Sequence, residues 1–145
     1  MKRRSKPGLA KRTAPSYRAV FLTAVRYGVD AAVVFHGGDT EKYLGEVNGL
    51  HAPLLMHLAE EDEFISKPAQ AEIKAALAGK SSATIYTYPG QRHAFSRHNG
   101  AHYNAAAAAL ANGRTGEFLN HNCDNLWHLQ DNDGIRPHAT EFSPT

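Results

Sequence analysis

Three apolar segments of the chain have the pattern of β-strands. Residues 31–35 and 53–59 are continuously apolar, which is typical of parallel strands that are covered on both faces. Residues 82–88 are rich in β-branched and aromatic side chains with partial alternation, which predicts an edge strand with one face less buried. Glycine or proline follows the first and third segments, as expected where a strand ends.

Apolar residues at three- and four-residue spacing predict helices around these strands. Residues 16–27 form one such helix, and residues 66–78 form another, with Ser66 as its N-cap. The helix predicted at 103–119 is the strongest, because its run of five alanines has the highest helix propensity. Residues 40–49 are polar and predict a loop or a short helix. Strands that alternate with helices indicate an α/β protein with a parallel sheet.

The two ends of the chain differ in composition from the rest. Residues 1–18 hold seven Lys or Arg and no acid, so the other nine basic residues face all 14 acids and the remainder carries about −5. We expect a basic disordered leader at 1–15, a domain at 16–121 and an irregular tail at 122–145. A basic leader also allows a transit peptide or binding to nucleic acid, but a nucleic-acid partner is the weaker interpretation.

The overall composition narrows the class of protein. A chain of 145 residues with 42% apolar and 21% charged residues forms one domain with an ordinary core. The mean hydropathy is −0.46 and no apolar run approaches 18 residues, which excludes a membrane-spanning helix and predicts no membrane partner. A single cysteine excludes an internal disulfide framework and favours a reducing compartment, so we expect a cytoplasmic protein.

Two titratable side chains follow predicted strands. Asp62 comes just after the second strand, and His93 comes just after the third. Open parallel sheets bind ligands at the carboxyl ends of their strands, and neighbouring strands lie about 4.8 Å apart. If these strands are neighbours, their loops bring the carboxylate to the imidazole. A carboxylate that orients a histidine as general base is two thirds of a hydrolytic triad, and the chain order is that of α/β-hydrolases.

The amino-acid sequences of four segments resemble the C-terminal half of the dienelactone hydrolase (carboxymethylenebutenolidase) family. The segments occur in the family's order and spacing over roughly residues 17–121. They are YGVDAAV at 27–33, APLL at 52–55 leading to Asp62, YPG at 88–90 with HAF at 93–95, and the helix through Tyr103, the alanine run, Arg114, Phe118 and Leu119.

This resemblance implies a fold, an activity and site residues. The fold is a partial α/β-hydrolase fold, with a three-stranded parallel sheet flanked by helices. The activity is hydrolysis of a small-molecule ester or lactone, without a metal or organic cofactor. Asp62 and His93 take the positions of the family's catalytic acid and histidine. Arg97 matches a position that binds the substrate carboxylate, which a guanidinium does through paired hydrogen bonds.

The residues before the first helix depart from the family's pattern. The family's nucleophile, usually a cysteine, lies in a Gly-x-Cys-x-Gly-Gly elbow immediately before that helix. Neither this motif nor Gly-x-Ser-x-Gly occurs in the chain, and residues 9–16 (LAKRTAPS) stand in its place. Thr13 and Ser16 lack the glycines that a strained elbow needs. We therefore expect a truncated chain without a nucleophile.

Other candidate residues fit their proposed roles less well. Cys123 follows the histidine in chain order and lies in the non-periodic tail, so it is a poor nucleophile candidate. The sequence His-Gly-Gly at 36–38 resembles the oxyanion loop of lipases, but no elbow follows it, and we interpret it as a glycine turn. His93, His98 and His102 match no zinc signature, so no metal site is expected.

Two functions of different classes remain. The first is a truncated ester or lactone hydrolase of the dienelactone hydrolase family. The alternative is a non-catalytic binding or assembly module, in which the strand near residues 30–36 pairs through its exposed edge with a second copy or a separate N-terminal half.

Overall fold

A computed structural model describes residues 17–123. The elements in chain order are α1 (Tyr17–Arg26), β1 (Ala32–Phe35), a 3-10 helix (Thr40–Gly49), β2 (Leu54–Ala59), α2 (Lys67–Leu77), β3 (Ala83–Tyr88) and α3 (Ala105–Cys123). Each predicted helix and strand is present, and the undecided segment at 40–49 is the 3-10 helix. The expected leader, the two replacement nucleophiles Thr13 and Ser16, and the tail beyond residue 123 lie outside the described residues.

The three strands form one parallel sheet in the order β1-β2-β3. Leu54 of β2 pairs with Ala32 on one side and with Ala83 on the other. The predicted α/β class with a three-stranded parallel sheet is therefore confirmed. Because β2 and β3 are neighbours, the loops that follow them meet at the carboxyl edge of the sheet.

The central strand β2 is buried on both faces, as its continuous apolar sequence predicts. Leu54, Met56 and Leu58 belong to the larger core cluster, together with residues of α1, α2 and the 3-10 helix. Ala59 belongs to a smaller cluster that includes Ala111 of α3. Successive side chains of a strand point to opposite faces, so helices cover both faces of the sheet.

The two outer strands are less buried than β2. In β1, Ala32 and Val34 are buried, whereas Val33 and Phe35 are only half-buried. The expectation that this strand is covered on both faces is thus only partly met, because it lies at an edge of the described sheet and α3 packs mainly against β2. The partial alternation of β3 fits its place at the other edge. Within residues 17–123, no helix is long and apolar enough to span a bilayer.

Candidate active site

Three polar side chains lie at the carboxyl edge of the sheet, each following a different strand. His36 comes directly after β1, Asp62 follows β2 and His93 follows β3. His36 and Asp62 are buried, and the side chain of His93 is 14% exposed. This edge is where parallel sheets place their ligands.

The structure joins the two residues that the sequence singled out. Nδ1 of His93 lies 2.9 Å from Oδ2 and 3.1 Å from Oδ1 of Asp62. Oδ1 also accepts hydrogen bonds from the backbone N–H groups of Phe64 at 2.9 Å and Ile65 at 3.3 Å, which fix the carboxylate. Since a carboxylate only accepts, the neutral imidazole carries its proton on Nδ1, and Nε2 is its basic nitrogen.

The acidic loop after β2 holds the loop after β3 in place. The Glu60 carboxylate accepts a hydrogen bond from the N–H of Gly90 at 2.9 Å, and the Glu63 carboxylate accepts one from the N–H of His93 at 3.3 Å. Backbone N–H groups, first its own and then that of His93, lower the pKa of Glu63. Gly90 has a φ of +67°, which favours glycine. Glu60 and Glu63 therefore hold the loop that carries His93.

Two rings flank the imidazole of His93. The Phe64 ring lies edge-on with its centroid 4.8 Å away, and the His36 ring is tilted by 42° with its centroid 4.7 Å away. Phe64 is 72% exposed although it is apolar. The flanking rings limit the rotation of His93, and Phe64 offers an apolar surface beside it.

The sequence interpretation of His36 as part of a simple glycine turn missed its place in this site. His36 has a φ of +71°, a left-handed conformation that is uncommon outside glycine but that histidine tolerates. Burial, together with the charge of the nearby His93, lowers its pKa to about 4. Its position directly after the first strand, at the same edge as Asp62 and His93, was the signal that could have identified it. Backbone conformations of this kind recur at functional sites.

The structure does not join Arg97 to Asp62 or His93. Arg97 lies on the loop after β3, where its N–H donates to the carbonyl of Ala94 at 2.9 Å, and its side chain is exposed. Within residues 17–123, no carboxylate pairs with its guanidinium. Binding of a substrate carboxylate by Arg97 stays a prediction.

Cys123 is remote from the site. The N–H of Asn104, just before α3, donates to the carbonyl of Phe95 at 2.9 Å, so the helix begins beside the His93 loop. The 19 residues of α3 rise about 27 Å, at roughly 1.5 Å per residue, and Cys123 is the last of them. Its thiol is too far from His93 to act as the nucleophile.

The three histidines weighed as metal ligands do not form a cluster. Nδ1 of His102 faces the backbone carbonyl of His93 at 3.2 Å. His98 is exposed, and its ring packs against that of Tyr103. This histidine set therefore has no common centre.

A second buried polar cluster lies on the face of the sheet that α3 covers, and the sequence did not reveal it. His57 of β2 is fully buried, with Nδ1 2.8 Å from the Tyr88 hydroxyl and Nε2 2.9 Å from the Thr115 hydroxyl. Burial, together with the charge of Arg114, lowers the pKa of His57 to about 4. This cluster links β2, β3 and α3.

A parallel sheet with helices on both faces, and a carboxylate followed along the chain by a histidine at its carboxyl edge, is the arrangement of an α/β-hydrolase fold. The sequence model of the dienelactone hydrolase family matches residues 18–123, and the chain belongs to that family.

Named relatives agree with this assignment. The chain is 42% identical over 102 residues to "Putative carboxymethylenebutenolidase" of Azospirillum brasilense, covering 70% of this chain and 44% of that protein. It is 34% identical over 99 residues to carboxymethylenebutenolidase of Pseudomonas putida, covering 68% of this chain and 42% of that protein. The chain thus spans less than half the length of these relatives.

A solved structure shows the same fold. The crystal structure titled "Putative Dienelactone Hydrolase" from Klebsiella pneumoniae superposes with a TM-score of 0.60 at 23% sequence identity, covering 69% of this chain and 46% of that one.

Proposed function

We propose that this chain supplies the acid and the base of a carboxylic ester or lactone hydrolase. The observation that carries the proposal is the 2.9 Å hydrogen bond between Asp62 and His93 at the carboxyl edge of the sheet. Membership of the dienelactone hydrolase family gives this pair its chemical context.

His93 is the general base of the proposed reaction. Nε2 takes the proton from a nucleophilic thiol or hydroxyl and later returns it to the leaving group, while Asp62 orients the ring and stabilises the imidazolium. The chain has no Gly-x-Cys-x-Gly or Gly-x-Ser-x-Gly motif to hold a nucleophile. We therefore expect little hydrolysis by the chain alone.

A chimera tests the acid and the base where a nucleophile is present. Residues 18–123 replace the matched segment of the A. brasilense relative, and hydrolysis of a dienelactone is measured. We expect activity that falls by about 10²-fold or more in His93→Ala, since general base catalysis contributes about that much. Asp62→Asn should fall as well, because it changes the preferred tautomer of His93.

The matched control for the chimera is His51→Ala. His51 is exposed and precedes β2 at the amino edge of the sheet, so its loss should leave the rate unchanged. A folded chimera that is inactive, or one whose activity survives His93→Ala, would falsify the proposal.

Arg97 is proposed to bind a carboxylate on the substrate. The relatives' name denotes a lactone with a carboxymethylene group, and Arg97 presents an exposed guanidinium on the loop that carries His93. In the chimera, Arg97→Gln should raise KM for the dienelactone by roughly tenfold, the effect of one charge-assisted hydrogen bond. The neutral ester p-nitrophenyl acetate should be hydrolysed as before. Equal effects on both substrates would exclude carboxylate binding, and Arg26→Gln on α1 is the control.

A second candidate function is self-association through β1. In the described sheet β1 pairs only with β2, and an apolar cavity of about 220 Å³ lies beside it. The cavity is lined by Ala19, Val20, Thr23, Val29, Ala31 and Ala32. If this edge joins two copies, sedimentation should show a dimer that Val20→Glu converts to a monomer. A wild-type monomer at high concentration would argue against this function.

A further inference from the structure

The carboxyl edge of the sheet brings together three potential metal ligands. His36, Asp62 and His93 each offer one ligand atom, and these atoms all lie within 4.8 Å of one another. His36 and Asp62 are buried, and the His93 side chain is 14% exposed, so the cluster opens to solvent on one side.

We propose that His36, Asp62 and His93 form a binding site for a divalent transition-metal ion of the zinc class. Two imidazoles and one carboxylate are a donor set that suits Zn²⁺, Co²⁺ or Ni²⁺, with a position left for water. Mg²⁺ and Ca²⁺ prefer oxygen ligands throughout, so neither is expected to bind. The proposal goes beyond the hydrolase function, because a metal ion on His93 prevents this residue from acting as a base.

The ligand atoms of the cluster lie farther apart than those of an occupied zinc site. Zinc lies about 2.0–2.2 Å from nitrogen and oxygen ligands in tetrahedral geometry, so two ligand atoms on one ion are about 3.3–3.6 Å apart. The observed limit of 4.8 Å means that the most distant pair of ligand atoms must approach by up to about 1.2–1.5 Å when the ion binds. The hydrogen bond between His93 and Asp62 already holds two of the three ligand side chains together, and metal binding would displace the proton that they share.

The cluster differs from the histidine set that the sequence suggested. His98 and His102 lie close to His93 in the chain, whereas His36 follows a different strand. Only the parallel pairing of β1 with β2 and of β2 with β3 brings His36 to Asp62 and His93.

Calorimetric titration of the untagged full chain with Zn²⁺ tests the proposal. We expect one ion per chain, and binding weakened at least tenfold in His36→Asn and in His93→Asn, which each remove an imidazole ligand. Asparagine tolerates the left-handed backbone at position 36. His51→Asn and His98→Asn are matched controls, since both residues are exposed, and their affinity should not change. Mg²⁺ should give no heat of binding.

A second measurement does not depend on any variant. In nuclear magnetic resonance spectra of the unaltered chain, Zn²⁺ should shift the imidazole signals of His36 and His93 and leave that of His98 in place. The absence of saturable zinc binding overturns the proposal, as does binding that survives both ligand substitutions or shifts only the exposed histidines. Because no substrate is involved, this result is independent of the test for hydrolysis.

Discussion

His57 is expected to make the fold less stable as the pH falls from 7 to 5. It is fully buried between Tyr88 and Thr115, and burial, followed by the charge of Arg114, lowers its pKa to about 4. The same group in the unfolded chain has a pKa of about 6.5. Between these two values the unfolded chain binds a proton that the folded chain does not bind, so acid favours unfolding.

The size of the effect follows from the two pKa values. Proton linkage gives a loss of about 2 kcal/mol in the free energy of unfolding between pH 7 and pH 5 for one such group, and about 3 kcal/mol well below pH 4. His36, whose pKa is also lowered to about 4, adds a similar amount. We therefore expect a combined loss of about 4 kcal/mol in the free energy of unfolding between pH 7 and pH 5.

Urea unfolding followed by circular dichroism at pH 7, 6 and 5 measures this loss. The variant His57→Gln removes the titrating ring and keeps a hydrogen-bonding side chain. It should be less stable than wild type at pH 7 by about 1–3 kcal/mol, because the Tyr88 and Thr115 hydroxyls lose well-placed partners. Its further loss on going to pH 5 should shrink to about 2 kcal/mol, the part that His36 contributes.

Comparison with an exposed histidine isolates the effect of burial. His51→Gln, at the amino edge of the sheet, should keep the full acid-side loss of the wild-type chain. If wild type and His57→Gln lose the same free energy between pH 7 and pH 5, then His57 does not exclude a proton in the folded state. The reasoning from its burial would then be wrong.

Three substitutions and two matched controls test the packing and capping of the fold by urea unfolding. Gly49→Ala should destabilise the fold by more than about 1 kcal/mol, since a Cβ at this position would lie 2.7 Å from a backbone oxygen of α1. Gly45→Ala is its control and should be tolerated, because a Cβ at position 45 would have no atom within 4 Å. Ser66→Ala removes the side chain that caps α2 and should cost about 1 kcal/mol. Leu58→Ala in the core should cost about 2–5 kcal/mol, whereas Leu110→Ala, half-exposed on α3, should change stability by under about 0.5 kcal/mol. Equal losses of stability in the two glycine variants, or in the two leucine variants, would contradict these assignments. A Ser66→Ala variant as stable as wild type would contradict the capping role of Ser66.

The sequence predicted the helices and strands, and the Asp62–His93 pair of the site, because both depend on local patterns. Continuous apolar runs mark strands, and helical spacing marks the helices between them, so the order of elements implies a parallel sheet. The pairing of Asp62 with His93 needed only one further assumption, that β2 and β3 are neighbours. The structure meets that assumption.

The sequence could not reveal contacts that depend on how distant elements pack. His57 lies in an apolar strand, and its partner Thr115 is 58 residues away on a helix whose rotation about its axis no local pattern determines. The two glycines that follow His36 are sufficient to explain a turn, so the local sequence did not indicate a role for His36 in the site. Its role depends on the distance between rings from different strands, 4.7 Å to His93.

The proposed hydrolase and the proposed metal site both use the imidazole of His93. They predict different effects of the substitution His36→Asn. In the hydrolase, His36 flanks His93 but does not take part in proton transfer, so His36→Asn should lower the rate of the chimera far less than His93→Ala does. In the metal site His36 is a ligand, so the same change should weaken zinc binding at least tenfold. If Zn²⁺ inhibits the chimera and His36→Asn relieves the inhibition while it preserves hydrolysis, both functions belong to His93. Inhibition that persists in His36→Asn would place the metal ion elsewhere.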